Sequence, residues 1–268
     1  MGLTIHYNLE FTGSEEQVLE ILQKAKHKAE NLAFENVDDI KNFDGLDIER
    51  ILETREPKED VWALIQAGGY VREKMKDGGQ RHHDFNADKA MILSTWPGQG
   101  CEQANFGFCK YPDKIKIRKL DFKQVERSTR KKPNTWYWGS FCKTQYASNV
   151  SIQHFLRCHL SVCRMLDYFK ELGVKVKVSD EGKFWKKRDL QALASEVGCW
   201  NTMIAGFSTA FDKGLQNSDG SIMESPIQEH PNFVSLVAES KSKLNKDNMD
   251  KMIHVLKNIP AAKTAEIT

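Results

Sequence analysis

Leu3-Thr-Ile-His-Tyr-Asn-Leu-Glu-Phe-Thr-Gly-Ser-Glu-Glu-Gln-Val-Leu-Glu-Ile-Leu-Gln-Lys-Ala25 is the stretch whose reading decides the fold. In its first part Leu3, Ile5, Tyr7, Leu9 and Phe11 alternate with Thr4, His6, Asn8 and Glu10. Successive side chains of a strand point to opposite faces, so this alternation predicts a strand with one apolar face. At Ser14 the period changes. Val18, Leu19, Ile21, Leu22, Ala25 and Ala29 make a helical stripe that runs to about Leu32. Ser14 and Gln17 have the spacing of a capping box, in which each side chain satisfies the other residue's backbone amide. Phe34–Phe43 is expected to return as a second strand, which makes a β-α-β opening.

Working outward, the first half reads mostly as strands. Asp44–Asp60 is acidic and predicts a short helix plus loop. Val61–Val71 reads as a strand continued past a Gly68-Gly69 irregularity. Lys74–Lys89, polar and with Gly78-Gly79, reads as a hairpin loop. Ala90–Thr95, Phe106–Lys110 and Ile115–Phe122 are further strands. Ile115 and Ile117 of the last alternate with lysines, so one of its faces is wet. The second half reads mostly as helices. Ser151–Leu172 carries Phe155, Leu156, Leu160, Cys163, Leu166 and Phe169 on one side, and Gly173 suits its C-terminal cap. Val174–Val178 is a short strand alternating with lysines, and Asp180-Glu181-Gly182 a turn. Arg188–Leu215 is a long helix. Gln216–Ser225 reads as a polar linker, and Asn232–Leu244 and Asp247–Ile259 as two more helices. Strands first and helices later predict an α+β fold: a mostly antiparallel sheet from the first half packed with helices from the second half. The expected organisation is a core domain over 1–215 and a helical C-terminal extension over 216–268.

Composition excludes several classes. With 268 residues, 40% hydrophobic and 28% charged, the chain lies in the globular range and not in the disordered or fibrous one. A chain of this length needs no metal or disulfide to close a core, so no cofactor is expected. No run of 18 apolar residues occurs, so no membrane-spanning helix is expected. The opening residues lack the basic and apolar regions of a secretory signal. Six cysteines in such a chain are then expected to be reduced thiols of a cytoplasmic protein. A net charge of +2 hides a division. Residues 1–60 hold fifteen acids and seven basic residues, whereas 110–132 hold ten basic residues and three acids. Such a split steers an anionic partner toward one face.

Two segments carry more chemistry than a plain core requires. Ser94–Cys109 holds Trp96 and the glycines Gly98, Gly100 and Gly107, which allow backbone amides to approach an anion, although no phosphate-loop ending is present. Asn134–Asn149 holds five aromatic residues, Trp136, Tyr137, Trp138, Phe141 and Tyr146, interleaved with Ser140, Lys143, Thr144, Gln145 and Asn149. Apolar walls with a few placed polar groups are what small-molecule sites need; an ordinary core strand ending in a polar turn would show the same pattern. Leu3–Tyr7, Ser94–Tyr111, Ser140–Asn149 and Phe155–Leu160 with Ser179–Gly182 resemble a set of bacterial proteins that carry no assigned function. The resemblance spans most of residues 1–205, leaves out the tail beyond about residue 215, and implies no activity.

Other chemistries could draw on the same residues. His154 with Cys158, and His159 with Cys163, are spaced four apart on one helix and so could each share a face toward a soft ion such as zinc; no Cys-x-x-Cys supports them. Cys142 beside Lys143, with His159 as a base, is the nucleophile candidate. Glu181-Gly-Lys183 after a strand matches the Glu-x-Lys element of magnesium-dependent nucleases, without an identifiable second acid. The basic run leading into the aromatic segment allows nucleic acid as a partner. The expectation is that the two segments meet in one pocket binding a small anionic or nucleotide-like ligand, with hydrolysis left open. Trp96, Trp136, Trp138, Lys143, Gln145, Tyr146 and Asn149 would hold it, and Cys142, His159 and Glu181 are the catalytic candidates. The alternatives are an interaction protein, inhibitor or adaptor, that recognises a protein partner, and a nucleic-acid-binding protein.

Overall fold

The computed structural model describes residues 3–75, 78–118, 124–214 and 226–243. It divides into two compact units, Met1–Val197 and Gly198–Thr268. The first unit opens with β1 (Thr4–Thr12), α1 (Glu15–Glu30), β2 (Asn36–Val37), β3 (Lys41–Asp44), α2 (Gly45–Thr54), α3 (Lys58–Leu64) and a 3-10 turn at Ile65–Ala67. It continues with β4 (Gly69–Lys74), β5 (Gln80–Phe85), β6 (Lys89–Trp96), β7 (Ala104–Lys110), β8 (Lys114–Arg118), β9 (Gln124–Ser128) and β10 (Thr135–Lys143). A second 3-10 turn, Gln145–Asn149, leads into α4 (Ile152–Glu171), β11 (Lys175–Asp180), α5 (Phe184–Lys187) and α6 (Leu190–Gly214). The boundary between the units falls within α6. The second unit adds a 3-10 turn at Pro226–Glu229 and α7 (Phe233–Lys243). There Ile227 and Ala205 are buried, and Thr202 Oγ1 donates to Glu239 Oε2 at 3.4 Å.

The fold is α+β. One seven-stranded sheet runs β11-β1-β10-β7-β6-β2, with β3 also on β6, and every neighbouring pair is antiparallel. β4–β5 and β8–β9 are separate hairpins. The alternation in β1 sets the layers. Ile5, Tyr7 and Leu9 are buried and stand opposite Cys142, Ser140 and Trp138 of β10. Tyr7 stacks on Phe106 of β7, and Phe169 of α4 meets Phe106 and Phe108, so α4 covers this face of the sheet. Removing these side chains from water at roughly 25 cal/mol per Å² is the main force holding helix to sheet. Ser14 caps α1 with the full reciprocal box, and Gly173 follows α4 at φ 82°, a left-handed position that glycine adopts without strain.

Two expectations change. Val61–Val71 is not one strand: α3 and the 3-10 turn take Val61–Ala67, and only β4 is extended. Val61, Ala63, Leu64 and Ala67 are buried while Trp62 and Ile65 are exposed, a pattern of turns and not of period two. Lys58, Glu59 and Asp60 start that helix with acids in its first turn, where the helix dipole favours them. Phe34–Phe43 supplies two short strands that both pair with β6 and not with β1, so the opening makes no parallel β-α-β unit. The proposed linker Gln216–Ser225 and helix Asp247–Ile259 lie outside the described residues.

Candidate functional site

The polar alternates of β1 define the site. Because Ile5, Tyr7 and Leu9 enter the core, Asn8 and Glu10 turn to the other side of the sheet. Register places Asn8 between Gly139 of β10 and Lys177 of β11, and Glu10 between Tyr137 and Lys175. These residues floor a cavity of about 580 Å³. Its walls come from Gln66 of the 3-10 turn, Gly68 after it, Gly69 and Tyr70 at the start of β4, Phe85 at the end of β5, and Tyr111 and Lys131. The Lys131 ammonium sits 4.4 Å from the ring centre of Tyr111 and 4.3 Å from that of Tyr137. Two ring faces on one cation hold it by their quadrupoles. Burial lowers the Lys131 pKa from the ordinary lysine value and raises that of the Tyr111 phenol. The Tyr137 hydroxyl accepts from the backbone amide of Lys132 at 3.0 Å. Lys175 donates to Glu10 at 2.9 Å, and that bond keeps the Glu10 carboxyl below its usual value.

A second hollow of about 800 Å³ shares Tyr70, Lys131 and Tyr137 with the first. It is lined by Arg72, Lys74, Arg127 and Arg130, with Glu73 among them. Glu73 Oε2 lies 3.0 Å from His83 Nε2, and its Oε1 lies 3.7 Å from Arg127. The two hollows make one cationic, aromatic cleft between the sheet and its two hairpins.

Both sequence segments pack side by side. Glu102 and Lys143 exchange backbone and carboxylate bonds at 3.0 and 3.1 Å. Gly100, at φ 78°, lies against the backbone of Tyr146, where any Cβ would clash. Of the residues named as ligand contacts, Trp138 lines the cleft. Its indole nitrogen donates to Asn105 O at 2.7 Å, and its side chain is buried. Trp136 is buried and donates to Gly13 O at 3.2 Å. Trp96 donates to Cys101 O at 3.1 Å. The Lys143 ammonium reaches the Tyr146 hydroxyl at 3.4 Å and lies 4.5 Å from its ring centre. Gln145 is buried and accepts the Leu3 amide at 3.2 Å. Asn149 closes the 3-10 turn that Gln145 opens. Apart from Trp138, these residues do not line the cleft described above.

The catalytic candidates sit elsewhere. Cys142 has no exposed surface and donates to Glu102 O at 3.2 Å; burial, then the Glu102 charge, pushes its thiol well above the ordinary range. Glu181 accepts the Thr4 amide at 2.9 Å, tying the end of β11 to the start of β1. His159 is buried between Thr144 Oγ1, 2.9 Å from Nδ1, and Asp180 Oδ1, 3.4 Å from Nε2. Burial raises the Asp180 pKa, but His159 and the amides of Trp185 and Gly182 outweigh that, and its carboxyl ends below its usual value. His159, Cys163 and Asp180 bring three potential ligand atoms within 4.8 Å of one another, which is the spacing a metal needs. Burial raises the Cys163 thiol above its ordinary value, and both Asp180 oxygens accept backbone amides. The arrangement locks β11 to α4.

Sequence reasoning passed over Asn8, Glu10, Tyr70, Tyr111, Lys175 and Lys177 as site residues. One signal was present: the polar alternates of β1 and the lysines alternating through Lys175–Val178 must share a face once the apolar set is buried. No protein-family model, no curated protein and no solved structure matches this chain.

Proposed function

We propose that this protein binds a small anionic ligand that carries an aromatic or heterocyclic ring, nucleotide-like in chemistry, in the cleft around Lys131. The observation that supports it most is the Lys131 ammonium between the Tyr111 and Tyr137 rings, partly desolvated, beside the Lys175 and Lys177 strand. A desolvated cation gains more from an arriving anion than one left in water, and ring faces that already hold a cation offer a stacking surface to a base. The cavity volume of about 580 Å³ suits one such ligand. Lys143 and Cys142 line neither hollow and do not enter the binding step of this reading.

Titration calorimetry with nucleoside monophosphates, inorganic phosphate and the free nucleosides tests it. The expected result is that a nucleotide binds more tightly than either of its parts. Lys131→Met and Lys177→Met should each weaken it about tenfold, the effect of losing one charge-assisted contact worth roughly 1.5 kcal/mol. Unchanged affinity in both variants sinks the reading. Tight binding of a single-stranded oligonucleotide with no measurable nucleotide binding would instead favour the longer groove through Arg127 and Arg130.

A further inference from the structure

His159 and Cys163 lie four apart on α4, so both side chains stand on one face of that helix. Their spacing alone offered no third ligand. The fold brings one: β11 ends on Asp180, and one ligand atom from each of the three residues lies within 4.8 Å of the other two. His159 and Cys163 have no exposed surface, and the Asp180 side chain is only 1% exposed. The rings of Phe155 and Phe184, 5.5 and 6.4 Å from that of His159, add apolar walls.

The geometry at His159 Nε2 is what a hydrogen-bonded pair does not explain. Asp180 Oδ1 is 3.4 Å away, beyond the roughly 2.7–2.9 Å of a charge-assisted hydrogen bond. Among the described residues, this buried nitrogen has no hydrogen-bond partner. A nitrogen and an oxygen 3.4 Å apart, each about 2.0–2.1 Å from a shared ion, subtend about 110° at it, the angle of tetrahedral coordination. The remaining atoms are held as ligands are held. Thr144 Oγ1 lies 2.9 Å from Nδ1 and can take its proton, which leaves the Nε2 lone pair for the ion. Asp180 Oδ1 accepts the Gly182 amide and Oδ2 the Trp185 amide, both at 2.8 Å. Each carboxylate oxygen has two acceptor sites, so these bonds orient the group and leave Oδ1 one site free. Gly182 presses close: a Cβ there would come within 3.1 Å of Asp180 Oδ1 and 3.3 Å of His159 Cε1.

We propose that His159, Cys163 and Asp180 bind one zinc ion that fastens β11 to α4. The donor set selects the metal: sulfur and imidazole nitrogen suit zinc, whereas magnesium and calcium take oxygen. Charge balances as well. A divalent ion with one thiolate, one carboxylate and a neutral imidazole sums to zero, which is what a site out of water requires. Arg188 and Asp167, whose charges reach Cys163, pair with each other at 2.7 and 2.8 Å. On binding, the Cys163 S–H bond breaks, its proton goes to solvent and its electron pair forms the bond to zinc, with no change of oxidation state. Among the described residues no fourth His, Cys, Asp or Glu joins the group, so a small molecule such as water completes the coordination. Thr144 is a positioning residue.

The test uses the full chain with the exposed Cys199 replaced by Ser, stripped by a chelator and titrated with cobalt(II) and then zinc. One equivalent of cobalt should give a thiolate-to-metal charge-transfer band and the visible bands of tetrahedral cobalt, and zinc should erase them. Zinc at a hundredfold excess over its Kd should raise the unfolding temperature by about 5–10 °C. X-ray absorption of the zinc form should show one sulfur at about 2.3 Å and nitrogen or oxygen at about 2.0–2.1 Å. With folding checked by circular dichroism, Cys163→Ser should abolish the charge-transfer band and Cys158→Ser should keep it. Thr144→Val should weaken zinc about tenfold, and Thr144→Ser should restore it. A chain without these variants that shows neither the band nor the thermal shift overturns the proposal, as do an absorption spectrum with no sulfur or two sulfurs and a band that survives Cys163→Ser. None of these readouts involves a nucleotide, so they stand or fall apart from the cleft.

Discussion

At Cys142 the sulfur is enclosed on all sides and faces the Glu102 carbonyl; at Cys109 burial pushes the thiol up to about 12. Thiolate is the reactive form, so iodoacetamide at neutral pH should label Cys199 and leave Cys142 and Cys109 untouched until the protein unfolds, as peptide mapping would record. Asp180 shows the same logic with the sign reversed. Its folded carboxyl lies below the usual 3.8, so the unfolded chain binds more protons in that range. The stabilisation it contributes is fully present above about pH 4 and is lost as pH falls below it. Asp180→Asn leaves His159 and two amides facing a weaker acceptor. It should cost about 3 kcal/mol in denaturant unfolding at neutral pH, with a flatter acid limb than the wild type. A loss under roughly 0.5 kcal/mol would show that the pair is not what ties β11 to α4.

Elements differ in how well their patterns declared them. The period change at Ser14 placed β1 and α1 closely, since alternation and a capping box are local signals that tertiary packing did not oppose; Ser14→Ala should lower stability by about 1 kcal/mol. α3 was misread because seven residues give too short a window to separate a helical from an extended apolar run, and buried Val61 and Leu64 serve either. β10 carries the aromatic segment, and its alternation divides that segment between two environments. Trp136, Trp138 and Cys142 enter the core, while Tyr137 turns to the cleft. Trp136→Ala should therefore cost about 4 kcal/mol, the cost of a large buried ring. The β4–β5 hairpin gives the opposite case. Tyr70 is 51% exposed, so Tyr70→Ala should change stability by less than about 0.5 kcal/mol. On the proposed function it should still weaken nucleotide binding, and calorimetry on the same sample reads both.

Across the whole molecule, the basic run seen in the sequence has a spatial counterpart in the first unit. The basic run contributes Arg127, Arg130 and Lys131 to the cleft, where Lys175 and Lys177 join from a strand far along the chain. Exposed charges are screened within roughly 8–10 Å at ordinary ionic strength. Raising salt from low to high concentration should therefore weaken ligand binding through the association rate, as stopped-flow Tyr or Trp fluorescence would measure. Salt-independent association would place the ligand away from this cleft.

Amino-acid order by itself determined the alternation of β1, the cap and stripe of α1, the long amphipathic α4 and the α+β class, because each follows from a periodicity read over neighbouring residues. It also held the materials of the cleft: polar alternates, a basic run and aromatic rings. Tertiary structure alone decided which of these meet. Antiparallel register sets Glu10 beside both Tyr137 and Lys175, and the loop after β6 meets α4 where Cys158 donates to Pro97 O and His154 Nε2 lies 2.9 Å from Gln99 O. Contacts between residues distant in the chain are fixed by which faces must leave water together, and no local pattern carries that information.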